Sequence, residues 1–392
     1  VVKLGIIGLG GGASQMIPAF VKHPHIRLVA AADIDAELLD TFCRAFQAET
    51  FLSAAELCQC SEVDAVYIAT PNQFHTAHAV MALENRKHVL VEKPMTLTLD
   101  DAQRMIDTAA RHGMQLAVNV KHSFEPRIRQ LRDIVRSGEL GQLRMLHYWY
   151  FNDWLYSPRT AEELNPDLGG GVPWRQGPHQ IDILRTIAGG LVRSVRAMTG
   201  VWDANRPVAG AYASFLEFED GTVATAVYSG HDHFNSKALT YQVDAGATWT
   251  APPYAKARKA LRQAGGAAAE TALKRARRFG GAAQVTHQPS PWILGGPLIV
   301  SFDRGEMRLT PNGLLIYGED DMWEMAISAD TDGRDGVVKQ FYDAVVHGKR
   351  LANDGVWGKA TLEVLLALLQ SSTERREVLL SHQVATTDDE DV

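Results

Sequence analysis

The feature that most constrains this chain is a rhythm running through residues 1–120. Short apolar runs at 2–7, 26–32, 64–69, 88–91 and 116–120 take turns with segments of helical spacing at 15–22, 36–46, 73–85 and 99–112. The runs are apolar on both faces, as strands covered on each side by helices must be, and a strand that returns through a helix lies parallel to the one before it. The rhythm predicts a doubly wound parallel sheet, with Asp100 as the N-cap of the helix at 99–112.

The turn after the first run reads Gly8-Leu9-Gly10-Gly11-Gly12-Ala13, a G-x-G-x-x-A pattern that opens a helix. Gly8 permits the tight strand-to-helix turn. Gly10, with Leu9 and Gly12 beside it, lets backbone approach a pyrophosphate at the helix N-terminus, and small Ala13 lets helix pack on strand. Asp33 ends the second run, at about the 20-residue spacing where an acid accepts hydrogen bonds from an adenosine ribose. Ile34 and Asp35 follow, with no arginine to take a 2'-phosphate. The cofactor predicted is NAD rather than NADP.

Two further strand ends carry chemistry. One reads Thr70-Pro71-Asn72, followed by His75; the other reads Glu92-Lys93-Pro94. Both fall at the carboxyl edge of the sheet, where open α/β folds bind ligands, so Thr70, Pro71, Asn72, His75, Glu92 and Lys93 are expected beside the cofactor. A lysine there, partly buried and next to the positive ring of oxidised nicotinamide, would fall from a pKa of about 10.4 toward neutrality. It could then take a proton from an alcohol.

Beyond residue 126 the pattern changes to long strand-like runs at 143–151, 191–199, 211–218 and 222–229, the last two joined across Asp220-Gly221, a hairpin signal. A second hairpin is expected at 298–302 and 307–310 around Arg304-Gly305, a strand at 314–317, and helices at 178–187, 336–346 and 359–371. At 392 residues the chain exceeds what one core supports. The fold class expected is α/β: a Rossmann-type doubly wound sheet over 1–125, then an α+β domain over 126–392 with a large, mainly antiparallel open sheet. A basic segment, 251–284, interrupts that sheet with eight Lys or Arg between Lys256 and Arg278 against only Glu270. It reads as a partly helical insertion, either a solvated surface pair of helices or a lid or subunit contact bringing positive charge near an anionic substrate. The acidic tail 388–391 reads as solvated.

Composition excludes several classes. With 46% hydrophobic and 22% charged residues and a net charge of −7, nucleic acid and membrane surfaces are poor partners, and a small soluble ligand is the better expectation. Cys43, Cys58 and Cys60 are too few for a disulfide framework and have no zinc-ligand spacing, so no metal is expected. No leader-like segment and no run of about 18 apolar residues occurs, which makes a cytoplasmic location the expectation.

Together Gly8–Ala13, Thr70-Pro71-Asn72 with His75, Glu92-Lys93-Pro94 and Gly177-Pro178-His179-Gln180-Ile181-Asp182 resemble the glucose-fructose oxidoreductase / inositol dehydrogenase (Gfo/Idh/MocA) family. The resemblance spans nearly the whole chain in the same order. It implies Lys93 and His179 as catalytic residues, with Asp182 one helical turn further as support, and a second domain whose sheet makes a homodimer or homotetramer. One departure stands out. The family usually has Asp where this chain has Arg175, in Trp174-Arg175-Gln176-Gly177-Pro178-His179. A guanidinium suits a substrate carboxylate, so Arg175 and Trp174, with Lys121 and His122 of Lys121-His122-Ser123-Phe124-Glu125-Pro126, are expected to bind substrate. Segments 297–309 and 370–378 resemble the phthalate cis-dihydrodiol dehydrogenase branch. The resemblance thus implies an NAD-dependent oxidation of an anionic, aromatic-derived diol to a catechol, with 4,5-dihydro-4,5-cis-dihydroxyphthalate as the first choice. The alternatives are a sugar or inositol dehydrogenase of the same family and a non-catalytic NAD-sensing protein; the presence of both Lys93 and His179 argues against the latter.

Overall fold

The computed structural model describes residues 1–241, 253–284, 295–328 and 332–387. The alternating first part forms a six-stranded sheet from β1 (Val2–Ile7), β2 (Ile26–Ala32), β3 (Glu49–Phe51), β4 (Ala65–Ile68), β5 (His88–Glu92) and β6 (Leu116–Asn119), ordered β3-β2-β1-β4-β5-β6. All its neighbours pair in parallel. The crossovers carry α1 (Gly11–Lys22), α2 (Ala36–Phe46), α3 (Ala54–Gln59), α4 (His75–Glu84) and α5 (Leu99–His112). From β1 the chain runs outward to β2 and β3, then returns to β4 on the other side of β1. That reversal opens a crevice at the carboxyl ends of β1 and β4, where ligands bind in such sheets. β3, only three residues long and half-exposed, is too short to show a period in sequence. The cap of α5 is corrected: the Thr98 hydroxyl accepts from the Asp101 amide at 3.1 Å, and Asp100 lies in the first turn, where its charge suits the helix's positive end.

After α6 (Pro126–Ser137) come β7 (Leu143–Phe151), α7 (Val172–Ala188), β8 (Val192–Gly200), β9 (Ala211–Phe218), β10 (Val223–Ser229) and α8 (Lys237–Tyr241). The basic segment supplies α9 (Lys256–Ala264) and α10 (Ala267–Arg275). Then follow β11 (Leu298–Phe302), β12 (Gly305–Leu309), β13 (Gly313–Tyr317), β14 (Met322–Ala326), α11 (Gly333–His347), α12 (Gly355–Glu374) and β15 (Val378–Leu379). The nine strands stand in order β14-β13-β12-β11-β7-β10-β9-β8-β15, antiparallel except for the pair β7 and β10. One face of this sheet, including Leu146, Tyr148, Ala226, Leu216 and Val195, is buried under α7 and α12. On the other face Met145, Trp149, Phe215 and Met198 stay exposed. The chain's later part also returns to the first sheet: Val337 and Phe341 of α11 enter the core formed by Leu4, Phe20 and Tyr67. No helix among the described residues is long and apolar enough to cross a membrane.

One correction bears on the site. The helix expected at 178–187 begins two turns earlier, at Val172. Gly171, at φ +92°, is its N-cap, Pro173 sits in the first turn where its missing N–H costs nothing, and Pro178 lies inside. Trp174, Arg175, His179 and Asp182 therefore share one helix rather than straddling a loop and a helix start.

Candidate active site

The crevice begins at the glycine turn. Gly8 has φ +91°, and a Cβ there would lie 2.9 Å from the Ala69 carbonyl oxygen, so the turn admits only glycine. A Cβ added at Gly10 or Gly11 would meet no atom within 4 Å, so the backbone opening α1 faces free space, while Ala13 is fully buried against the sheet. Asp33 accepts from the Leu9 amide at 2.6 Å and from the Asp35 amide at 3.0 Å, which fixes its carboxylate at the rim of the turn. An uncapped helix start behind a glycine backbone, with an anchored acid beside it, fits a diphosphate over Gly10 and Gly11 and a ribose at Asp33. NAD held there would accept a hydride.

Lys93 leaves β5 into the same crevice and donates from Nζ to the Arg175 carbonyl oxygen at 2.8 Å, tying the first sheet to α7. Burial pushes the Lys93 amine down to about 7, with Glu92 opposing and the charges of Arg175 and Lys121 assisting. Glu92 is itself held by the Tyr67 hydroxyl at 2.6 Å and the Asn119 amide at 2.5 Å. His179 sits on α7 with its ring 4.6 Å from that of His122, and burial, then the Lys93 charge, holds it well below the usual histidine range. Its buried Nδ1 has no hydrogen-bond partner among the described residues. Lys121 is lowered to about 8 by burial and by Arg334, which donates to Gln15 Oε1 at 3.1 Å. The crevice thus gathers Lys93, His179, His122 and Lys121, as expected, and adds Arg334 from α11, which no local motif announces.

Other expected residues are used differently. His75 places Nδ1 2.9 Å from the Pro94 carbonyl and Nε2 2.9 Å from the Thr70 carbonyl, so its ring braces two loops and keeps no nitrogen for a cofactor. Asp182 turns to α12, where Oδ1 accepts from the Trp357 indole at 2.7 Å, and burial raises it to about 6; it supports helix packing rather than the reaction. Trp174 packs against the core. Asn72 joins the two lobes, donating to the Gly169 carbonyl at 3.3 Å and accepting from Arg175 at 2.8 Å. A surface groove on its far side, between α4 and α5, holds none of the titratable crevice groups.

The expectation for Arg175 is corrected most sharply. Its guanidinium donates to Glu163 Oε1 at 3.2 Å and to Asn72, so it is committed within the protein and is no free clamp for a carboxylate. Glu163 is a buried anion that needs cations, and Arg159 at 3.3 Å and Lys274 at 2.9 Å share the same oxygen. Burial pushes Glu163 up, but Lys274, Arg159 and Arg175 more than reverse it, to about 2. Glu270 of α10 in turn accepts from the Arg159 amide at 2.7 Å and pairs with Arg206 at 2.9 Å. Four cations therefore share two carboxylates, and the Glu163 end of this network reaches Lys93 through the Arg175 carbonyl. Lys274, from the basic insertion, is one of them. The sequence announced the insertion's charge but not Glu163, which sits in an irregular stretch without periodicity. No group of three or more His, Cys, Asp or Glu suited to a metal occurs among the described residues.

Comparison with known proteins agrees with this fold and with a dinucleotide at the glycine turn. Residues 2–120 match the model for an oxidoreductase family with an NAD-binding Rossmann fold, and residues 128–245 match the GFO/IDH/MocA C-terminal domain. The chain belongs to the Gfo/Idh/MocA oxidoreductase family. A full-length relative, the 1-carboxy-3-chloro-3,4-dihydroxycyclohexa-1,5-diene dehydrogenase of Comamonas testosteroni, is 33% identical over 94% of this chain and 94% of its own. A solved protein of Bordetella bronchiseptica RB50, designated a dehydrogenase, is 39% identical with a TM-score of 0.89, covering 97% of this chain and all of that one. The WlbA dehydrogenase of Bordetella pertussis, solved with NADH and UDP-GlcNAcA, shares the fold at 18% identity, with a TM-score of 0.70 over 97% of this chain and 99% of that one. This family member is an NAD-binding oxidoreductase.

Proposed function

We propose that the protein uses NAD to oxidise a carboxylated cis-dihydrodiol to the corresponding catechol. The observation that carries this reading is the 33% identical relative, matched over 94% of both chains, whose name specifies a carboxylated dihydroxycyclohexadiene. The surplus of positive charge around Glu163, whose partner Arg175 accepts from Lys93 at its carbonyl, supports an acidic substrate although the Arg175 guanidinium is no free clamp. In the proposed reaction the carbinol C–H bond breaks with its electron pair leaving as hydride, which NAD bound in the crevice would accept. The hydroxyl proton passes to the neutral amine of Lys93, and the resulting ketone tautomerises to the aromatic catechol. His179, kept neutral, offers one donor and one acceptor, which suits the second hydroxyl of a cis-diol.

The exposed sheet face, with Trp149 at 42% and Phe215 at 44% exposure, is the surface we assign to a second copy of the chain, forming a homodimer or, with a further face, a homotetramer. The test of function is NADH formation with NAD and a panel of 4,5-dihydro-4,5-cis-dihydroxyphthalate, a monocarboxylated cis-dihydrodiol, an uncarboxylated cis-dihydrodiol, inositol and glucose. The reading expects kcat/KM at least about tenfold higher for a carboxylated diol than for its uncarboxylated counterpart, one well-made charge-assisted contact. Turnover of inositol or glucose alone would replace it with a polyol dehydrogenase.

A further inference from the structure

The basic insertion does not stop at Glu163. Beyond α10 the chain crosses to the first domain, where Arg278 pairs with Asp35 at 3.2 Å and the Phe279 amide donates to the Leu9 carbonyl at 3.4 Å. The Phe279 ring is buried against Phe42 at 5.7 Å and Phe46 at 5.8 Å, both on α2. These contacts close a circuit. Leu9 lies in the glycine turn, its amide donates to Asp33, Asp33 accepts from the Asp35 amide, and Asp35 holds Arg278, whose neighbour Phe279 returns to Leu9. The circuit surrounds the place where the open glycine backbone and Asp33 fit a diphosphate and its ribose. Arg278 keeps 31% of its side chain exposed and, among the described residues, has a single carboxylate oxygen as its ion-pair partner, so four of its five N–H groups are not spent on that pair.

We propose that Arg278 is a cofactor-binding residue, its guanidinium lying against the adenosine-ribose and diphosphate edge of NAD, with residues 276–281 as the outer wall of that subsite. A helix N-terminus carries about half a positive charge against a diphosphate's two negative ones, so a guanidinium arriving from the second domain supplies what the glycine turn lacks. It also links occupancy of the adenosine end to α10, and through Lys274 to Glu163 and Arg175. The proposal rests on the dinucleotide site and not on the diol reading; a protein that binds NADH but oxidises no diol leaves it intact.

The test is the dissociation constant for NADH and for ADP-ribose, measured by titration calorimetry on the full chain, wild type against Arg278→Gln and Asp35→Asn. Direct contact predicts that Arg278→Gln weakens both ligands by a similar factor of about ten, whereas Asp35→Asn, which frees the guanidinium from its competitor, leaves them unchanged or tighter. Equal losses in the two variants would reduce Arg278 to a tether for the insertion and overturn the assignment. So would an unchanged affinity in Arg278→Gln. Amide exchange in the wild type gives a reading that needs no variant: residues 276–281 are expected to slow with NADH and with ADP-ribose, and no slowing with either contradicts the wall.

Discussion

A lysine at the end of a buried strand has only two comfortable fates, pairing or neutrality, and Lys93 takes the second. Its folded pKa of about 7 lies below the ordinary 10.5 because burial outweighs Glu92. The unfolded chain therefore binds the proton more tightly. Below pH 7 folding forfeits roughly 1.4 kcal/mol for every tenfold difference in proton affinity between the two states, a loss that fades as pH rises from 7 to 10.5. Lys93→Met should accordingly stabilise the protein at pH 6 by more than at pH 10 in urea titrations; equal gains at both values would mean that the amine is not desolvated. At this scale Lys93 was legible in the sequence because its strand ends at a known edge. The fate of Arg175 was not, because Glu163, Arg159 and Lys274 reach it from segments with no shared pattern. His75 and Asp182 were misread for a related reason: sequence places a side chain on an element but does not show which neighbour claims its hydrogen bonds.

The elements that position the site are the β1–α1 turn and α7. The turn is legible because only glycine tolerates φ +91° with a carbonyl 2.9 Å from the missing Cβ. Gly8→Ala should cost about 1–3 kcal/mol in stability and at least tenfold in NADH affinity, measured by denaturant titration and by ligand titration. Wild-type affinity in that variant would place the diphosphate elsewhere. The start of α7 was less legible. Pro178 reads locally as a helix beginning, yet Gly171 and Pro173 form a better one two turns earlier, and packing against the second sheet and α12 sustains the helix through the internal proline. Strands β3 and β14 went unread, β3 for its length and β14 because four of its five residues are exposed and carry little burial pattern.

At the scale of the molecule, two sheets read separately from sequence meet along one crevice, and the late helix α11 closes back on the first domain to deliver Arg334 beside Lys121. Such a return is invisible to any local pattern. The outer sheet face should hold a second copy of the chain. Replacing Trp149 and Phe215 together by lysine is predicted to give a folded monomer by light scattering, and an unchanged assembly mass would move the interface elsewhere. Whatever the assembly, the proposed reaction requires the amine between the lobes to be neutral when substrate arrives. That is measured directly by the pH dependence of kcat/KM for diol oxidation, wild type beside Lys93→Ala, from about pH 5.5 to about pH 9.5. The rate should rise with pH through an apparent pKa of about 7, and Lys93→Ala should lose that limb together with about a hundredfold or more of the rate. A folded Lys93→Ala enzyme that keeps both the limb and the wild-type rate would contradict the assignment of Lys93 as proton acceptor.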